Sequence, residues 1–316
     1  MSLPYPAKNP GIVRHARGEN IWLRAEGSDE QVELSKLSPQ VLNYEVLESE
    51  AAVGRAMFEE IEKAAQARGG DITIIILGGR GAQALHRLLG EKARSSELDD
   101  LLARLTVFTQ DALAPMRMNN SFSFVRDFER LLGDAFFKKI KSFNSMRTEA
   151  SDLENALVEY LEKLTAGPVD ICFLGLGPEA NAASHLAYIK PGSGATAADL
   201  GGVIPISPSI LEHHITKFKA GGVLMNEADE LECRRATHIL TLGPAALLRA
   251  KRIVQSIVDA DTAPAKVASF ERLVKTDISN DPAQRGRQLD DNPGLWIRLH
   301  SNVRSLILPD VLTAVN

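Results

Sequence analysis

Three short segments place reactive or anion-holding side chains directly after apolar runs. Gly78-Gly79-Arg80-Gly81 follows ITIIIL (72–77), Gln110-Asp111 follows LTVFT (105–109), and Gly175 to Asn181 follows the apolar run 171–174. A glycine loop ahead of a helix points free N–H groups outward at the positive end of the helix dipole and can cradle a phosphate. Arg80 would add a charge-assisted bond to that phosphate. The same loop also suits tight-turn packing. It is neither a Walker loop nor a dinucleotide fingerprint, because Gly81-Ala82-Gln83-Ala84 lacks the required lysine or third glycine. Asp111 stands where a catalytic carboxylate would stand, or where an aspartate caps a turn. The third segment, VDICFLGLGPEANAASHLAY (169–188), offers Glu179, Asn181, Ser184 and His185 beyond a Gly-Leu-Gly turn, and it reads as a site or as an ordinary βα turn. Lys266, in APAKVASFERL, either contacts an anion or is solvated. His213-His214 is not read as a metal pair, because adjacent helical residues face different directions. His300 reads as a packed or hydrogen-bonded histidine. No metal site is expected.

For three strand ends to converge, the sheet must be parallel. Strands are predicted at 72–77, 105–109, 169–177, 237–243 (THILTLG) and 303–309 (VRSLILP). Helices are predicted over 46–67, 82–93, 123–140, 150–164 and 244–258, the last with Pro244 in its first turn. An irregular segment with Pro115 and Asn119-Asn120 follows Asp111, and 191–202 and 280–294 read as surface loops. Alternating strands and helices imply an α/β fold, with a mainly parallel central sheet and helices on both faces. The organisation expected is an N-terminal extension over 1–45, with one short strand in GENIWLRAEG, followed by a single α/β domain over 46–316. Asp111 and Glu179 should then line one pocket with the glycine loop.

A chain of 316 residues, 44% hydrophobic and 24% charged, can bury one large α/β core. Its net charge of −5 gives no footprint for nucleic acid or an acidic membrane surface, so neither partner is expected. Cys172 and Cys233 are the only cysteines and lack the spacing of a zinc site or disulfide framework. Residues 1–18 mix prolines with basic residues, and no apolar run approaches the ~20 residues a bilayer span needs. A soluble, cytoplasmic protein is the expectation.

Five stretches, in order, resemble the glucosamine-6-phosphate deaminase and 6-phosphogluconolactonase family over about residues 46 to 312. ILGGRGAQALHRLL stands where the family has a TGGTP-type phosphate loop. TVFTQDALAPMRMNNSFSFVRDFERLL looks like FxxDEYVGL…SYxxFMxxxFF. FLGLGPEANAASHLA occupies the place of GGxGxDGHIAFNEP, or of GxGxDGHTASLFP in the lactonases. THILTLGPAALLRAKRIVQSIVDADTAPAKVASF resembles ALTVGxxTLLxAxxVxxLxxGxxKAxAL, and WIRLHSNVRSLILPD resembles the closing LQLHPxxxxxxDE.

The resemblance implies a sugar-phosphate isomerase-like α/β fold, a phosphorylated sugar as partner, no cofactor, and an assembly that in the family is often a homo-oligomer. Asp111 takes the place of the aspartate that moves a proton between C1 and C2. Glu179 replaces the aspartate of DGH, one methylene longer. Asn181 replaces its histidine and cannot titrate near neutrality. Leu186 falls at the glutamate that orients that histidine. Lys266 matches the phosphate lysine, Arg80 the phosphate-loop threonine, and Lys217 or Lys219 a basic residue of the ANSRFF region. His185, four residues past Asn181, either replaces the imidazole from one helical turn away or faces elsewhere. The leading function is isomerisation or deamination of a phosphorylated hexose or hexosamine. A lactonase is the first alternative, since Ala183-Ser184 fits the ASLFP pattern. A non-catalytic sugar-phosphate sensor is the second: the lost histidine favours it and the retained Asp111 opposes it.

Overall fold

Runs of β-branched and large apolar residues form the strands, since such side chains pack well on a pleated surface. In chain order these are β1 (Ile12–Arg17), β2 (Asn20–Ala25), β3 (Tyr44–Val46), β4 (Ile72–Ile76), β5 (Leu105–Thr109), β6 (Asp111–Ala114) and β7 (Ser142–Asn144). They continue with β8 (Ile171–Leu174), β9 (Gly177–Pro178), β10 (Ser184–His185), β11 (Asp199–Pro205), β12 (His238–Leu242), β13 (Arg252–Ile257) and β14 (Val303–Ile307). The computed structural model of the chain describes residues 11–222, 224 and 226–312. Among these residues no helix is long and apolar enough to cross a membrane.

Seven strands form one parallel sheet in the order β3-β14-β13-β8-β4-β5-β7, flanked by helices that include Glu50–Ala67, Gln83–Lys92, Phe124–Lys139 and Leu153–Thr165. Ile72, Ile74, Ile171, Cys172 and Phe173 in the middle of this sheet are essentially inaccessible. Burial on both faces is what a parallel sheet requires of its strands. The expected α/β architecture is the one observed.

Four expectations are corrected. The stretch 244–258 is not a helix: one turn, Pro244–Leu247, precedes β13, which lies between β8 and β14. Ile253, Val254, Ile257 and Val258 are the β-branched residues that favour this outcome over a helix. After Asp111, β6 runs only to Ala114, and the expected irregular segment with Pro115 and Asn119-Asn120 follows it. Residues 191–202 lead into the buried strand β11, and 280–294 contains the helix Pro282–Asp291. THILTLG is a strand, yet it belongs to a second, antiparallel sheet with order β1-β2-β11-β12-β6.

That second sheet also absorbs the N-terminal stretch. β2 pairs with β11, and Trp22 is fully buried with its Nε1 donating to the Ser193 carbonyl at 2.9 Å. Gly202 lies opposite Trp22, and a Cβ there would approach the indole to 2.8 Å. β3 joins the parallel sheet and spans the boundary drawn at 45/46. From residue 11 onward the proposed extension is therefore woven into both sheets. Between β5 and β6 the chain crosses from one sheet to the other at Gln110, whose Nε2 holds the Phe173 carbonyl at 2.9 Å. Asp111 begins the new strand at this crossing.

Candidate functional site

Parallel strands present their carboxyl ends at one edge, where ligands of open α/β sheets bind. Here the ends of β4, β5, β8 and β13 open onto one hollow, which the glycine loop 78–81, Asp111, His185, Lys217, Asp259 and Lys266 line together. The sequence predicted the glycine loop, Asp111 and Lys266 at one edge, and they converge.

One end of the hollow gathers positive charge beside the glycine loop. Gly78, Gly79, Arg80 and Gly81 lead through a 3₁₀ turn into the helix Gln83–Lys92. Lys217 and Lys266 are buried and share one carboxylate, with Asp259 Oδ2 and Oδ1 each accepting at 2.6 Å. Burial by itself would raise Asp259, but the two ammonium groups outweigh it and hold the carboxyl at about 2. Burial pushes Lys266 below the usual lysine range despite Asp259, and Lys217 and Arg80 push in the same direction. Two cations against one anion leave the group net positive. Arg80 lines the hollow as well, but its guanidinium donates to Glu50 Oε1 at 2.5 Å, so part of its charge is spent inside the protein. Lys219 pairs with Glu230 at 2.9 Å, which leaves Lys217 as the basic residue of its helix on this site.

The other end carries acid–base groups. Asp111 is buried, and among the described residues nothing donates to its carboxyl; desolvation pushes it up to about 8. His185 does not sit on a helix. β9 and β10 form a two-stranded hairpin in which His185 pairs with Gly177 and faces the hollow. Its Nδ1 meets Glu179 Oε1 at 3.1 Å. A carboxylate only accepts, so Nδ1 carries the proton and Nε2 is left as an acceptor. A Cβ on Gly177 would lie 1.7 Å from that Nε2, so only glycine allows the ring its place. The second glycine of Gly-Leu-Gly thus makes room for the imidazole.

Two expectations change. Glu179 does not line the hollow beside Asp111; it stands behind His185 as the partner of its ring. Asn181 lies outside, exposed and at φ 56°, with its carbonyl accepting from Arg272 at 2.6 Å. Leu186, matched to an orienting glutamate, is a buried core residue.

Four lining residues with polar side chains were not anticipated as site residues: Tyr188, His213, His214 and Asp259. His214 Nε2 faces the Phe122 carbonyl at 2.8 Å and must donate, so its Nδ1 accepts from the Tyr188 hydroxyl at 2.9 Å. Burial holds His214 at about 4, which keeps it neutral and fixes this chain of bonds. The bonds in turn hold Tyr188 at φ 61°, a strained backbone for a tyrosine, just past His185. Asp259 stands just beyond the strand β13, and that strand-end position was hidden when 244–258 read as a helix. Among the described residues no group of three or more His, Cys, Asp or Glu is arranged to hold a metal ion.

No family model matches the sequence, and no curated protein does. Solved structures do match in shape. A monomeric glucosamine-6-phosphate deaminase superposes with a TM-score of 0.64 at 18% identity, covering 86% of this chain and 99% of its own. The 6-phosphogluconolactonase of Trypanosoma brucei gives 0.59 at 16%, covering 89% and 100%. That of Shewanella baltica OS155 gives 0.58 at 14%, covering 85% and 99%. The fold is that of the glucosamine-6-phosphate deaminases and 6-phosphogluconolactonases. At this identity the likeness is one of architecture. On the deaminase-like scaffold, the hollow described above is built from this chain's own residues.

Proposed function

We propose that this protein binds a phosphorylated hexose or hexosamine and interconverts its aldose and ketose forms, with loss of ammonia where C2 carries an amino group. The observation that carries this reading is the shared hollow. An unpartnered carboxyl, Asp111, and an imidazole backed by a carboxylate, His185–Glu179, open onto the same space as Lys217, Lys266 and the glycine loop. The phosphate would rest on the loop N–H groups and the two lysines. His185 Nε2 would accept the anomeric hydroxyl proton and hand it to the ring oxygen as the bond between that oxygen and C1 breaks. Ionised Asp111 would take the proton from C2 and return it to C1 of the enediol, or of the enolamine where C2 carries an amino group, whose C2 imine water then hydrolyses to the ketone and ammonia. This chemistry needs positioned acid and base groups, which the site holds together at the end of the hollow away from the lysines that would fix the ligand's phosphate. The fold's neighbours, which include a glucosamine-6-phosphate deaminase, support the same substrate class.

A second reading, hydrolysis of a phosphorylated sugar lactone, is favoured by the His185–Glu179 pair, which could activate water. It leaves Asp111 without a task. The sensor reading loses its main support, because an imidazole does face the site. The two enzymatic readings separate in one experiment. Glucosamine 6-phosphate, fructose 6-phosphate and 6-phosphogluconolactone are incubated with the protein in deuterated water. Deuterium entering C2 of the aldose or C1 of the ketose is expected; lactone hydrolysis without exchange would establish the second reading instead.

A further inference from the structure

The hollow holds a second free imidazole to which the proton transfers above assign no role. His213 lies on the helix Pro208–Ala220, four residues before Lys217, so the two side chains share one helix face a turn apart. It lines the hollow, is half-buried, and among the described residues no group donates to or accepts from its ring. Its ring centroid is 6.1 Å from that of His185, with the planes at 76°.

We propose that His213 is a specificity-determining residue, hydrogen-bonding a hydroxyl on the carbon chain of the ligand between its phosphate and its reacting end. This rests on the sugar-phosphate reading and adds to it a preference for polyhydroxy phosphates. The position follows from the residue's neighbours. His185 acts on it from the acid–base end, while Lys266, Lys217 and Asp259 act from the anion end. The chemistry follows from its state. Burial first, then the charges around it, push His213 down to about 3, so the ring is neutral. A neutral imidazole has one donor and one acceptor, the same pair a hydroxyl offers. His185 has a carboxylate to fix its tautomer and stabilise an imidazolium; His213 has none, so it is suited to hydrogen bonding rather than to carrying a proton. His214, its neighbour, has both nitrogens occupied within the protein and is a positioning residue.

The test uses two probes, inorganic phosphate and glucitol 6-phosphate, an open-chain hexitol phosphate that cannot isomerise. Binding to the full-length protein is measured by calorimetry for wild type, His213→Ala and His213→Gln, each checked for an unchanged melting temperature. His213→Ala is expected to weaken glucitol 6-phosphate about 3- to 10-fold, the scale of one neutral hydrogen bond, and inorganic phosphate less than about 2-fold. His213→Gln should recover part of the loss. Equal weakening of both probes, or no change in either, overturns the assignment. A wild-type protein that binds phosphate but gains nothing from the hexitol chain also overturns it while sparing the phosphate site. A wild-type protein that binds neither probe removes the sugar-phosphate reading itself.

Discussion

Asp111 is a carboxyl with no donor to it among the described residues, and a carboxylate so placed is costly to ionise. Its folded value of about 8, against 3.8 for the free group, means the native state holds a proton that the unfolded chain has released. Stability from this group is therefore present below about pH 4 and lost as pH rises towards 8. Asp111→Asn should raise the melting temperature at pH 8.5 by about 2 °C or more, with the gap closing towards pH 4; a uniform gap at all pH values would contradict this. At the anion end, Lys266→Ala should weaken inorganic phosphate by about 1.5–3 kcal/mol, measured by calorimetry, the range for a bond to a charged group. Asp111, Lys266 and the glycine loop were legible in the sequence because each stands beside a strand end or a helix start, where position alone limits direction. His185 was not. Counting from Asn181 along an imagined helix left its direction open, whereas a two-residue hairpin turns it into the hollow and Asn181 out.

At the scale of elements, the hairpin β9–β10 is what makes the site an acid–base site. Its ring-on-glycine contact leads to a direct expectation. Gly177→Ala should displace His185 while leaving the sheets intact, reducing turnover roughly 10²- to 10⁴-fold, the usual worth of a general acid–base catalyst. Far-UV circular dichroism would show the fold retained, and full activity in the variant would show that His185 is not required. The parallel sheet was readable because ITIIIL, LTVFT and DICFL are short apolar runs stopped by turns. The second sheet was not. β11 contains Gly201 and Gly202, which look like loop, and Trp22 fills the space over Gly202 from a stretch about 180 positions earlier. β13 was hidden for a similar reason: Pro244, the alanines and the basic Arg249, Lys251 and Arg252 suit a helix, and only the strands on either side decide otherwise.

At the scale of the whole molecule, three imidazoles, His86 and His214 buried and His213 half-buried, are held neutral far below the usual range, and they set an acid limit. Desolvation first, then nearby cations in two of them, lower His86 and His213 to about 3, and burial lowers His214 to about 4. The unfolded chain takes up these protons below about pH 6.5 and the native state does not, so stability is lost as pH falls through that window. His86 is the simplest to test, since both its ring nitrogens lack a hydrogen-bond partner among the described residues and its ring meets Phe128 edge-on. His86→Leu should raise the melting temperature, most at pH 5 and least at pH 8; a loss at both would mean the imidazole is satisfied after all. If a sugar anchored by its phosphate lies in the hollow, Asp111 and the His185–Glu179 pair would act on its C1 and C2. The most direct measurement is solvent deuterium exchange at C2 of glucosamine 6-phosphate, followed against pH. Exchange is expected in the wild type with a kcat/KM that rises with pH towards about 8, as Asp111 ionises, and it should disappear in Asp111→Asn while phosphate binding persists. Exchange that survives the loss of Asp111, or a wild type that binds phosphate and never exchanges, would contradict this assignment.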